Sequence, residues 1–269
     1  APVGRVISKL AVPTIISMLV TSIYNMADTF FVSQLGTSAS GAVGIIFSAM
    51  AIIQALSFMI GIGSGNYIAR LIGAGNRELA EKLASIGFFT GFGMGLVITV
   101  LGTANIHALV MMLGSTVTIA PYAEAYASYI LLAAPFMMTS FIMNNILRFQ
   151  GKALFAMVGI TTGGILNIVL DPVFIFGLGP IPRLEVKGAA IATVIGQVVT
   201  LILYLIWYFC KDMGLSLGRR NMKLTGEICG KLYTVGVPCS LTMGLPSLLI
   251  TVLNGFAAAF SPVYILILG

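Results

Sequence analysis

Two aspartates, Asp28 and Asp171, lie inside long apolar segments, where a carboxylate is hard to accommodate. A charged group in a membrane core costs about 2.5–3.5 kcal/mol on insertion scales and by default marks a functional site. Each aspartate lies about 10 Å from the outer end of its predicted helix, at about 1.5 Å per residue. Because both helices are predicted to run outward, we expect the two carboxyl groups to share one site at one depth.

Polar neighbours fall into register with this pair. Asn167 precedes Asp171 by four residues and Tyr24 precedes Asp28 by four, so each shares a helix face with its aspartate. Thr193 lies a few residues into the next predicted helix, at a similar depth. Such a set can hold a proton on a buried carboxyl group, or it can coordinate a hard cation through oxygen ligands. For sodium, the candidate ligands are Asp28, Asn167 and Asp171.

The alternative is a structural role for both aspartates. Asp28 would then lie just below the lipid headgroups, and Asp171 would cap a helix broken at Pro172. Agreement in depth between two separate helices favours the shared ion site over this alternative.

The composition identifies the environment of these helices. Of the 269 residues, 58% are hydrophobic and 8% are charged, and the mean hydropathy is +1.06. A soluble domain carries roughly 25% charged residues, so this chain could not cover a surface that faces water. We therefore predict a polytopic membrane protein, which excludes a disordered segment, a nucleic-acid-binding module and an ordinary cytosolic enzyme. A membrane-embedded enzyme is disfavoured too, because no metal-ligand spacing or nucleophile–base pair is present.

The apolar segments predict an all-α fold. A helix needs about 20 apolar residues to cross the bilayer. The short alternating segments typical of a membrane barrel are absent from the sequence. The chain divides into six such segments, with a seventh that starts near residue 232. The predicted spans are 11–34, 42–71, 86–113, 121–147, 153–178 and 188–210.

The basic residues predict the topology. If successive connections alternate between the two sides, 12 of the 14 Lys and Arg residues fall on one side, and the other side has only Arg183 and Lys187. Short loops rich in Lys and Arg stay in the cytoplasm. We therefore expect a multi-pass protein of the cytoplasmic (inner) membrane with a cytoplasmic N-terminus. No nucleic-acid partner is needed to explain the net charge of +6.

The longest polar stretch divides the chain. We predict a six-helix transmembrane lobe over 1–210, a cytoplasmic linker over 211–231, and the truncated start of a second lobe over 232–269. Val12-Pro13 and Ser17-Met18 recur as Val237-Pro238 and Thr242-Met243 at a constant offset. A repeat that begins after a polar linker is typical of transporters built from two bundles.

Several other polar residues receive structural interpretations. Glu124 is expected at the membrane interface and His107 in an exposed extracellular turn. Asn144 and Arg148 would close the fourth span by capping and lipid contact.

Four segments make the chain resemble the N-terminal half of a multidrug and toxic compound extrusion (MATE) transporter, with the start of the second half. They are 24–36 (YNMADTFFVSQLG), 63–76 (GSGNYIARLIGAGN), 167–177 (NIVLDPVFIFG) and 187–193 (KGAAIAT). The spacing of Asn167 and Asp171 is similar to that in the branch named for DNA-damage-inducible protein F.

This resemblance implies a two-lobed transporter of twelve helices, monomeric when full-length. It implies an antiporter, not an enzyme, that exchanges small lipophilic or cationic organic compounds for external protons or sodium, without any other cofactor. In that branch the coupling residues correspond to Asp28, Asn167, Asp171 and Thr193. The alternative function is a lipid-linked precursor flippase of the same superfamily. That function would be expected to need a basic cavity.

Overall fold

The computed structural model describes residues 3–177, 182–210, 230, 232–242, 245, 249, 252 and 253. Seven helices have defined bounds, and no strand occurs within these ranges. The helices are α1 (Val3–Ser33), α2 (Thr37–Gly73), α3 (Arg77–Ala104), α4 (Ile106–Met112), α5 (Ala120–Phe149), α6 (Ala153–Phe176) and α7 (Val186–Cys210). The described residues from 232 to 242 are helical as well and are called α8 below.

The all-α prediction is confirmed, since six of the helices are long and apolar enough to cross a membrane. They match the six predicted spans in order, so the predicted fifth and sixth spans are α6 and α7. The predicted helix near 232 corresponds to α8. The lobe and linker boundaries stay predictions, and most of the linker lies outside the described residues.

The third predicted span, 86–113, is wrong at both ends. The helix begins at Arg77, where the Asn76 side chain caps it by accepting a hydrogen bond from the Leu79 amide at 3.2 Å. Its first turns carry an ion pair between Glu78 and Lys82. The charged residues before position 86 belong to the helix, so the start of the apolar stretch is not the start of the helix. At the other end α3 stops at Ala104, and a separate short helix, α4, follows.

Helix α5 is the centre of the bundle and contacts α2, α3, α4, α6 and α7. Pro135 lies inside it and leaves the Leu131 carbonyl without its usual helical partner. The Thr99 hydroxyl of α3 donates to that carbonyl at 2.6 Å. Gly95 allows this approach, because a Cβ there would meet the Pro135 backbone. The neighbouring helix α3 thus supplies the hydrogen bond that the proline removes from α5.

The bundle has two sides, named here after the turns found at them. At the Gly36 side, α1 and α6 end, and α5 and α7 begin. At the Gly73 side, α1 and α6 begin, and α5 and α7 end. A large apolar cluster fills each side, one around Tyr126 and Ile130, the other around Ile146 and Tyr204. Polar residues that function in the interior must therefore lie between or within these two clusters.

Helix α8 touches the bundle through glycines. A Cβ on Gly63 of α2 would meet the Leu232 carbonyl, and one on Gly236 of α8 would meet the Met59 carbonyl. Since only glycines permit backbones to approach this closely, α8 is packed directly against the middle of α2.

Candidate functional site

The predicted aspartates lie together in the interior. Asp28 is 3% exposed and Asp171 is fully buried, and the two carboxyl groups are close enough to interact electrostatically. Helices α1 and α6 run side by side in the same direction, because Tyr24 contacts Gly164 and, further along both helices, Asp28 lies near Asp171. The structure therefore brings the two aspartates together.

An amide and two hydroxyl groups surround the carboxyl groups. The Asn167 side-chain nitrogen donates to Asp171 Oδ1 at 3.3 Å and to Thr193 Oγ1 at 3.3 Å. The Tyr126 hydroxyl donates to Asp28 Oδ2 at 3.4 Å, and Thr193 lies within hydrogen-bonding reach of Tyr126. Together these five residues form what we call the acidic cluster.

Three oxygens of the acidic cluster have no hydrogen-bond partner although they are buried. They are Asp28 Oδ1, Asn167 Oδ1 and Asp171 Oδ2. Buried acceptors without partners are rare and usually indicate a functional role or an ion. Two carboxylate oxygens and an amide oxygen are ligands that suit a hard cation. The same carboxylate oxygens can instead accept a proton.

Neither Asp28 nor Asp171 forms an ion pair with any residue that the structure describes. Ion pairs found elsewhere in the described ranges include Glu78 with Lys82 and Glu185 with Arg183, and His107 contacts Glu124. An unpaired buried charge is strongly unfavourable, and two adjacent ones are more so. The acidic cluster is therefore most stable when it binds a proton or a cation. In the described part of the chain no three His, Cys, Asp or Glu residues are grouped as a transition-metal site would require.

Tyr24, the fifth predicted site residue, forms no hydrogen bond with the described carboxyl groups of Asp28 and Asp171. It lies one turn from Asp28 and packs its ring base against Gly164 of α6. Its side chain lines a small cavity together with Asn167 and Thr193. Tyr24 therefore borders the acidic cluster.

This small cavity continues from the acidic cluster toward the Gly73 side. Its volume of about 20 Å³ is room for about one water molecule or a small cation. Polar side chains from three helices line it: Thr21, Tyr24, Asn167, Thr193, Gln197 and Thr200. Toward the Gly36 side, buried apolar residues follow one turn further along α1, α6 and α7. Val32, Ile175 and Ala189, each one turn beyond a cluster residue, are fully buried.

A larger cavity of about 190 Å³ opens between α1, α2 and α5. It shares Thr21, Tyr24 and Phe141 with the small cavity, so these three side chains form the wall between the two. The rest of its lining is mostly flexible and apolar, with two amide side chains: Asn25, Phe47, Met50, Ala51, Gln54 and Met137. Unbranched methionine side chains adapt readily to ligands of different shape.

Sequence reasoning missed Tyr126. It lies about two turns into α5, at the depth of Thr193, and depth could have identified it. The interpretation of Asn144 as a capping residue is wrong, because its side chain is buried and bonded within the bundle. His107 is exposed as expected, but it lies on α4 and pairs with Glu124 of α5 at 2.6 Å.

A bundle of helices long and apolar enough to cross a membrane, with polar and acidic side chains in its interior, is typical of a membrane transport protein. The MatE family profile matches residues 13–173. The chain therefore belongs to the MatE (MATE) family of multi-pass membrane transporters and is not an enzyme.

Similar proteins agree with this family. A protein of Shewanella oneidensis named FAD transporter is 36% identical over 203 residues, which are 76% of this chain and 45% of that protein. The multidrug export protein MepA of Staphylococcus saprophyticus is 29% identical over 93% of this chain and 55% of its own length. A crystal structure of a MATE protein in complex with MaL6 superposes with a TM-score of 0.86 at 33% identity, covering 97% of this chain and 58% of that one. The chain spans about half the length of the relatives it matches.

Proposed function

We propose that this chain forms one half of a cation-coupled antiporter that exports small organic compounds across the cytoplasmic membrane. The acidic cluster binds the coupling ion, a proton or sodium. Its occupancy shifts the transporter between two states, because a ligand biases an equilibrium by its differential affinity for them. External ions would then drive the release of substrate outside.

The single observation that carries the proposal is the set of three buried, unpartnered oxygens in the acidic cluster. Two of them belong to the carboxyl groups of Asp28 and Asp171, which form no ion pair with any described residue. A structural cluster would be expected to satisfy these oxygens internally. A coupling site must instead leave them free for the ion.

The orientation follows from the basic residues. Six Lys and Arg residues with described side chains lie at the Gly73 side: Lys9, Arg70, Arg77, Lys82, Arg148 and Lys152. Two lie at the Gly36 side, Arg183 and Lys187. The positive-inside rule then supports a cytoplasmic Gly73 side and a cytoplasmic N-terminus.

For the substrate, the larger cavity supports a lipophilic or cationic organic compound. Its lining combines methionine and phenylalanine with the amides of Asn25 and Gln54. No Lys or Arg belongs to this lining, which gives no support to a lipid-linked precursor flippase. The 36%-identical relative named FAD transporter favours a second candidate, export of an anionic dinucleotide such as FAD.

The proposal is tested with the full-length protein in proteoliposomes. Ethidium or FAD is offered as substrate while a pH gradient or a sodium gradient is imposed separately. We expect one gradient to drive export and Asp28→Asn to abolish it. The matched control is Glu124→Gln, an acidic residue at the same side but outside the acidic cluster, which should transport normally. Undiminished gradient-driven export by Asp28→Asn would disprove coupling through this site.

A further inference from the structure

An open groove along the surface of α1 leads into the larger cavity. Its lining combines polar and apolar side chains: Asn25, Met26, Thr29, Phe30, Ser33 and Phe47. The groove shares Asn25 and Phe47 with the larger cavity, so the two adjoin. It extends along α1 to Ser33, where that helix ends at the Gly36 side. We call it the outer groove, because it connects the Gly36 side with the larger cavity.

A row of polar side chains follows the same path on α1. Thr21, Asn25, Thr29 and Ser33 are spaced four residues apart and cover about 18 Å. Each of the three hydroxyl groups donates to a carbonyl of its own helix, at 2.7–2.9 Å. A hydroxyl group bonded in this way keeps its lone pairs free and presents only acceptors to the groove. Such oxygens suit water molecules and hard cations.

The polar row ends at the wall between the two cavities. Thr21 belongs both to the row and to the wall, which it forms with Tyr24 and Phe141. On the other side of the wall lies the small cavity, which is bordered by Asn167 and Thr193 of the acidic cluster. The three wall residues therefore separate the path along the outer groove from the acidic cluster.

The shorter approach to the acidic cluster from the Gly36 side is apolar. Val32, Ile175 and Ala189 are fully buried one turn beyond three residues of the cluster. A hydrated ion that arrives at the Gly36 side would lose its water among these side chains. The polar row and the larger cavity offer it oxygens and space instead, as far as the wall.

Phe141 is the wall residue with the most freedom to turn. Tyr24 rests against Gly164 of α6, and the Thr21 hydroxyl is bonded to its own helix. The Phe141 ring pairs with Phe58 of α2 at a centroid distance of 6.1 Å and lines a void on either side. Close packing fixes most interior side chains, whereas a ring between two voids can move.

The sizes of the two voids set the direction of that movement. The small cavity, of about 20 Å³, cannot accept a phenyl ring, and the larger cavity, of about 190 Å³, can. A turn of Phe141 into the larger cavity would open the wall. The same turn would take up space in the larger cavity.

We propose that the ring of Phe141 is a gate through which the coupling ion passes from the outer groove to the acidic cluster. When the gate opens, the ring occupies part of the cavity in which the substrate is proposed to bind. Ion entry therefore displaces substrate, and bound substrate holds the gate shut, because coupling between two sites is reciprocal. This proposal rests on the proposed function, since it needs an ion at the acidic cluster and a substrate in the larger cavity.

The test measures access to the small cavity with a thiol reagent. The full-length protein, with its native cysteines replaced, carries Gln197→Cys, a position that lines the small cavity outside the acidic cluster. A membrane-impermeant trimethylammonium methanethiosulfonate is added to intact cells or to inverted membrane vesicles. The two labelling rates report access from the outside and from the cytoplasm.

We expect Phe141→Ala to raise the outside labelling rate at least about tenfold, equivalent to about 1.4 kcal/mol, because the two cavities join. Phe141→Leu, which keeps part of the side chain, should give an intermediate rate. Saturating ethidium should slow labelling when Phe141 is present. The rate from the cytoplasm should not change, whereas a merely loosened bundle would be labelled faster from both sides.

The matched control is Phe136→Ala on the same helix. Phe136 also pairs with a second phenylalanine, Phe92, at a centroid distance of 6.1 Å, and it lies outside the lining of both cavities. Its removal should leave both labelling rates at the parental value.

Three results would overturn the gate. The first is a parental outside rate in both Phe141→Ala and Phe141→Leu, and the second is an equal increase from both sides. The third is labelling that ethidium does not slow when Phe141 is present. Export by Asp28→Asn tests the proposed function separately: if Asp28→Asn exports normally, that function fails. If it does not export and one of the three results is found, only the gate fails.

Discussion

Two buried polar groups of residues occupy the same helix bundle and differ in how they are bonded. The acidic cluster has two carboxyl groups, hydrogen bonds of 3.3–3.4 Å and three unpartnered oxygens. The second group, which we call the Tyr204 network, consists of Tyr204, the Asn144 side chain and the Ala156 carbonyl. It has no carboxyl group and three hydrogen bonds of 2.7–3.0 Å. The side-chain atoms of Asn144 and Tyr204 are not among the buried atoms without partners.

This difference indicates which of the two polar groups binds a ligand. A fully bonded neutral network holds helices together and specifies their arrangement. A cluster with unpartnered acidic oxygens lowers stability until an ion or a proton binds to it. Removal of a buried charge should therefore not lower the stability of the protein, whereas removal of a bonded neutral amide should lower it. Variants can test this difference directly.

The largest effect is expected at the acidic cluster. Asp171→Asn should reduce gradient-driven export at least about a hundredfold, equivalent to roughly 2.7 kcal/mol. The thermal stability of the purified protein should not fall, because a buried unpaired charge is removed. Export assays and thermal unfolding in detergent, run on the same preparation, measure both. A variant that unfolds at lower temperature and still exports would reverse the assignment of roles.

The contact between α6 and α7 holds both polar groups in place, and it should give the next largest effect. A Cβ on Gly163 would meet the Thr200 hydroxyl and lie 2.6 Å from the Gly196 carbonyl oxygen. Gly163→Ala should therefore destabilise the protein by about 1–3 kcal/mol, as overpacking does. Gly93 of α3 has open space around its Cα, so Gly93→Ala is the control and should be neutral or stabilising by up to about 1 kcal/mol. Equal effects of the two substitutions on thermal unfolding would contradict the close approach.

A smaller effect is expected from the Tyr204 network. Asn144→Ala removes a donor shared by Tyr204 and the Ala156 carbonyl, and Tyr204 keeps its own bond to that carbonyl. We expect a loss of about 1–2 kcal/mol in the free energy of unfolding. Ion binding at the acidic cluster should be retained. Isothermal titration or a pH-dependent fluorescence signal, combined with thermal unfolding, distinguishes this pattern from that of Asp171→Asn.

The sequence was sufficient for features that depend on one helix. The number and order of the six spans follow from apolar length, and the position of each aspartate along its own helix follows from helical rise. Features that need two helices were harder to predict. Tyr126 and Asn144 were missed because their partners lie 98 and 60 residues away in the chain. The start of α3 was wrong because polar capping by Asn76 and the charged first turns extend a helix beyond its apolar part.

The smallest effect is expected at the surface, where a third polar pair contrasts with both buried groups. His107 of α4 and Glu124 of α5 lie 2.6 Å apart, with side-chain exposures of 74% and 33%. An exposed pair contributes less than about 1 kcal/mol, because water and salt screen it. His107→Gln should therefore change the unfolding temperature only slightly, and 1 M NaCl, where the screening length is about 3 Å, should remove the difference. Glu124→Gln should behave in the same way. A salt-independent loss of stability in either variant, measured by thermal unfolding at low and high salt, would show that this pair is held as tightly as the buried groups.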